Sequence, residues 1–121
     1  MDDDDNKPLV WLHGEIKTPP FSAEARREAG YLLRLLQGGE SLGMPQSRPM
    51  PDIGANCHEL RVKDQTKEWR IFFHIHTKAI VVLEVFNKTT RKTPDWVIKT
   101  CKARFERYNE AMKSAEKEKK S

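Results

Sequence analysis

The stretch Cys57–Pro94, CHELRVKDQTKEWRIFFHIHTKAIVVLEVFNKTTRKTP, decides how this chain reads. Three short runs with strand character follow one another, over residues 57–63, 69–75 and 79–86, at a spacing that suits an antiparallel meander. Alternation then sets the faces. Leu60 and Val62 point to the core if Glu59, Arg61 and Lys63 face water, and Ile71 and Phe73 point inward if Arg70 and His74 do not. A hairpin closed by residues 64–67 pairs Arg61 with Arg70. In the third run Glu84 marks the outward parity, leaving Val81, Leu83 and Val85 inside, and a three-residue turn over 76–78 sets Glu84 opposite Arg70. The expected result is a row of Arg61, Arg70 and Glu84 across an open face.

Two arginines directly opposite each other destabilise a sheet by a fraction of a kcal/mol to about 1 kcal/mol. They become useful when an anion sits between them. The bland alternative is a surface salt bridge from Glu84 to Arg70, worth roughly 0–1 kcal/mol. Lys88 and Lys92, directly after the third run, favour the anion. Residues 57–104 carry eleven Lys and Arg against five acids, about +6 locally, which directs attention to a polyanionic partner.

Outward from this stretch, residues 8–12 (PLVWL) read as a short first strand, and Thr18-Pro19-Pro20 forces a break. Ser22 is an N-cap for a helix over 23–37, whose Ala25, Ala29, Leu32, Leu33 and Leu36 share one face and whose stop is Gly38-Gly39. Residues 40–56 hold too many prolines for a helix and read as an ordered loop over the core. Thr93-Pro94-Asp95 starts a second helix, with Val97, Cys101, Phe105, Tyr108 and Met112 at helical spacing.

The 121 residues fit one domain with one modest core. Residues 1–6 read as a disordered acidic tail, 7–112 as the structured domain, and 113–121 as a charged C-terminal tail. Two cysteines without a CxxC pattern or secretory signal argue against a disulfide framework or zinc site and suit a reducing cytoplasm. The longest apolar run is far short of the roughly 20 residues a membrane helix needs. No cofactor motif is present.

Taken together, SRPMPDIG, CHELRVKD, WRIFFHI and AIVVLEVFNKTTRKTP, with EARREAGYLLRLLQGGESL ahead of them, resemble the phage-derived, HigB-like branch of the RelE/ParE toxin superfamily. The resemblance implies an α+β domain, RelE-like, with an antiparallel sheet and helices packed on one face. It also implies the toxin of a type II toxin–antitoxin pair, partnered by a helix-turn-helix antitoxin. Many such toxins are metal-independent messenger-RNA endonucleases acting at the ribosome, in which a ribose 2′-hydroxyl attacks the adjacent phosphate. That chemistry needs a proton acceptor, cations for the charged transition state and a donor for the leaving 5′-oxygen.

The family pattern carries over to Arg61 and Arg70 at the phosphate, Lys88 as a further cation or proton donor, and Lys92 as a phosphate contact. Glu84 holds an arginine or accepts a proton. Arg91 and Lys63 extend the phosphate-binding surface. Phe72 and Phe86, on the outward parity, offer rings for base stacking. His58 is a candidate base, although alternation points it inward with Leu60; Tyr108 is a further candidate on the helix stripe. Trp11, Trp69 and Trp96 are read as core, and His74 as a solvated surface histidine. The competing class is a non-enzymatic inhibitor like the gyrase-directed ParE branch; an inactive RNA-binding remnant is the third.

Overall fold

In the computed structural model, which describes residues 6–88 and 92–120, seven elements form one α+β domain. They are β1 (Leu9–Trp11), α1 (Ala23–Gln37), β2 (Ser47–Pro49), β3 (Cys57–Asp64), β4 (Lys67–Ile75), β5 (Ile80–Asn87) and α2 (Asp95–Lys120). The sheet runs in the order β1-β5-β4-β3-β2, antiparallel except for β1, which lies parallel to β5. The acidic run Asp2–Asp5 and Arg91 lie outside the described residues.

Helix α1 forms where the sequence places it. Ser22 accepts from the Ala25 amide at 3.0 Å, satisfying one of the orphan donors of the first turn, and its own amide donates to the buried Asp64 carboxylate at 2.8 Å. That bond, joined by the Trp69 indole, holds the Asp64 carboxyl below its ordinary range. The apolar stripe Ala25, Ala29, Leu32, Leu33 and Leu36 packs on Leu60, Val62, Ile71, Phe73, Ile80 and Val82.

The helices do not share one face of the sheet. Helix α2 covers the opposite side, where Val97 and Cys101 bury Phe72, Val81 and Leu83, with Phe105 and Tyr108 partly buried beside them. The physical reason lies in the strands themselves. Both parities of β4 and β5 are apolar, and a sheet buried on both sides needs a covering layer on each. Phe72, expected as an exposed ring, is therefore fully buried beneath α2. His74 is buried as well, edge-on to Phe105 at 4.7 Å, instead of solvated.

Two further departures concern register and length. The hairpin pairs Ile75 with Ile80, and a bulge at Phe72/Phe73 inserts Leu83 as an extra residue on β5. These two shifts place Phe86, and not Glu84, opposite Arg70. The bulge leaves the Leu83 carbonyl free of the ladder, and Arg104 of α2 donates to it at 2.7 Å. Ser47–Pro49, read as loop, forms the edge strand β2 antiparallel to β3, with Arg48 opposite Glu59 and the Met50 and Arg61 amides donating across the pair to the Cys57 and Gln46 carbonyls at 2.8 and 2.9 Å. Finally, α2 continues through the charged segment after Met112 as far as Lys120.

Candidate active site

The α2-facing side of β3 and β4 brings Arg61 and Arg70 together in direct cross-strand register, as alternation requires. What lies between them is a carboxylate from the same strand. Glu59, two residues before Arg61 and thus on its face, accepts from Arg61 Nε at 3.1 Å and Arg70 Nη1 at 3.0 Å, both on Oε1. Arg70 Nη2 also reaches Glu68 at 3.1 Å. Glu59 and Arg70 are 2% and 3% exposed, so their attraction is weakly screened. The Arg61 side chain retains 27% exposure.

Glu59 lines a cleft of about 410 Å³ between the sheet and the start of α2, together with Arg48, Lys88, Lys92, Lys99 and flanking groups that include Met50 and Ile98. Lys88 follows β5 and is fixed by its backbone amide, which donates to the Glu68 carbonyl at 2.9 Å. Burial holds the Lys88 ammonium below its ordinary pKa of 10.5, and Arg70 adds to the shift, while Glu59 and Glu68 oppose it. A lysine lowered in this way gives up a proton more readily than a surface one. Arg61 opens onto a second depression with Lys63 and Glu68, linked to the cleft through the Arg61–Glu59 ion pair.

The residues singled out in the sequence thus separate into groups. Arg61, Lys88 and Lys92 stand at or beside the cleft, and the exposed Lys92 pairs with Asp95 at 3.9 Å. Arg70 belongs to the same cluster but lies beneath the surface, in contact with Glu59 and Glu68. Glu84 shares the face yet stands on the other side of Phe72, held by Arg104 at 3.3 Å and His13 at 3.6 Å. The β-bulge is what moves it away from Arg70.

His58 stacks on Phe73 on the α1 side, away from the cleft, where burial lowers its pKa. Tyr108 packs edge-on to His76 at 5.5 Å, toward the far end of α2, with its hydroxyl pKa raised by burial. Trp69 is core, as expected, stacked on Phe21 at 4.0 Å. Trp11 and Trp96 are not; they are 41% and 57% exposed. Sequence reading missed Glu59, Arg48 and Lys99. For Glu59 the signal was available: a carboxylate at i and an arginine at i+2 share a strand face.

The fold and cluster define a small α+β domain carrying a preorganised cationic site around one buried carboxylate. The family model for phage-derived proteins described as Gp49-like (DUF891) matches residues 19–106, and the chain belongs to that family. The family is toxin-like and falls in the RelE/HigB-type group. No curated protein and no solved structure matches the chain.

Proposed function

We propose that this protein is the toxin of a type II toxin–antitoxin system and cleaves messenger RNA at the ribosome without a metal ion. The observation that carries the reading is Glu59 Oε1 bound at 3.1 and 3.0 Å by two opposed arginines, on the floor of a cleft that also holds the partly buried Lys88. A buried carboxylate so placed fixes both guanidinium groups, and the surrounding cations suit charge that develops on a phosphate.

In the proposed reaction the 2′-oxygen of a ribose attacks the adjacent phosphorus as its hydroxyl proton passes to solvent, while the buried Glu59 holds Arg61 and Arg70 in place. Arg61 and Lys88 meet the charge on the non-bridging oxygens, with Arg70 adding to the field from below. The P–O5′ bond breaks and the Lys88 ammonium protonates the 5′-oxygen. The products are a 2′,3′-cyclic phosphate and a 5′-hydroxyl end. Arg48, Lys92 and Lys99 line the path of the flanking backbone.

The test is induced expression with mapping of RNA 5′ ends, paired with end analysis of ribosome-bound message cleaved by the purified protein. Expected are 5′-hydroxyl ends opposite 2′,3′-cyclic phosphates, and a rate lowered about 10²–10³-fold in Lys88→Ala. Growth arrest with intact RNA would overturn the reading in favour of a gyrase-directed inhibitor.

A further inference from the structure

The arginine row does not end at Arg70. Across the β4–β5 ladder its direct partner is Phe86, at a cross-strand spacing of about 4.5–5.5 Å between side-chain roots. Phe86 in turn meets the Trp96 indole nearly at right angles, with ring centroids 5.8 Å apart. Trp96 is 57% exposed although it sits in the first turn of α2, where the stripe Val97 and Cys101 enters the core. Lys99, three residues on and so one turn along the same helix, lines the cleft, as does Lys92. A large aromatic surface thus stands in water beside a cation cluster, backed by a second ring that fixes its tilt.

Resting on the reading of the cleft as a phosphodiester site, we infer that Trp96, buttressed by Phe86, is a stacking platform for an unpaired nucleobase of the RNA strand. The choice of occupant follows from charge and shape. An apolar peptide side chain gains nothing from the lysines of the cleft that Lys99, one turn on from Trp96, helps to line, whereas a nucleotide brings an anion and a π-face together. Every base has such a face, so the contact contributes affinity and positioning without strict sequence choice. A double-stranded substrate keeps its bases stacked on one another and gains nothing from the platform.

The probe is a short single-stranded oligonucleotide with 2′-O-methyl sugars, which binds without offering a 2′-hydroxyl, compared with the same backbone made abasic. Fluorescence anisotropy of a labelled strand reads affinity. Trp96→Ala should weaken binding of the base-bearing strand about 5- to 150-fold, and Trp96→Phe much less. Binding of the abasic strand should be the same for wild type and Trp96→Ala. Trp11→Ala removes another exposed indole, at the β1 edge, and should leave both affinities unchanged.

If wild type binds the base-bearing strand and Trp96→Ala binds it equally well, the platform is refuted while the RNA reading stands. Equal loss on both strands would assign Trp96 a structural role and also refute it. Failure of wild type to bind either strand would overturn the underlying RNA reading itself.

Discussion

Replacing Arg70 by methionine tests whether the central ion pair is a true buried pair. Arg70 and Glu59 are 3% and 2% exposed, and their contact is 3.0 Å. Removing one partner of such a pair costs about 3–5 kcal/mol, because the other charge stays desolvated. Here Glu59 retains Arg61 at 3.1 Å, and the half-exposed Glu68 loses a contact worth roughly 0–1 kcal/mol, which places the expected loss near the low end, about 3 kcal/mol. At this chain length that corresponds to roughly a 12 °C fall in Tm. Adding Glu59→Gln removes the stranded charge while keeping an acceptor for Arg61, and should restore at least about 1.5 kcal/mol. Urea unfolding of wild type, both single variants and the double variant gives the coupling energy. Additivity within about 0.5 kcal/mol would refute the reasoning. Activity should stay low in the double variant, separating loss of chemistry from loss of fold.

The buried His74 has its pKa held below 6.5 by burial, so the unfolded chain binds more protons just under that pH; stability should be full above about 6.5 and fall as pH drops below it, and His74→Gln should flatten the slope in a pH series of thermal melts. A methyl group at Gly54 would run into the Phe105 ring; Gly54→Ala should lose about 1–3 kcal/mol, and less in a Phe105→Ala background, by denaturant unfolding. Burial raises both cysteine thiols to about 12, so alkylation at pH 8 should be slow in the folded protein and fast in denaturant. RNA binding should weaken with salt, at a slope near −0.7 per phosphate neutralised, and Lys99→Ala should lower that slope by about one contact.

Much of this arrangement was legible in the chain. Alternation through HELRVKD and WRIFF, with a short hairpin between them, is enough to put Arg61 opposite Arg70, because strand parity and turn length leave one register that buries Leu60, Val62, Ile71 and Phe73 together. The cap at Ser22 and the stop at Gly38 fixed α1 for reasons local to the backbone. Three things were not legible in full. The side on which α2 packs depends on Phe72, Val81 and Leu83 forming a second apolar surface, and a strand buried on both faces carries no alternation to read. The position of Glu84 depends on one extra residue at the Leu83 bulge, whose carbonyl is met by Arg104, a residue far along the chain. The burial of Glu59 is the third: alternation puts it on the face of Arg61 in its own strand, but its removal from water also requires Arg70 of β4.

The parallel pairing of β1 with β5 also dictates an order of assembly. The β3–β4–β5 meander closes over short loops, so its nucleation is local and fast, whereas Leu9 finds its partner Ile80 only across most of the chain. Leu12 adds a bond to the Val82 carbonyl, which does not exist as an acceptor until β5 is laid down. The first strand in sequence is therefore the last to be recruited, and Lys88, Lys92 and Lys99 are all still later in the chain. A growing chain therefore has neither a closed β1 edge nor the cations of the cleft until β5 and the first turns of α2 have been made.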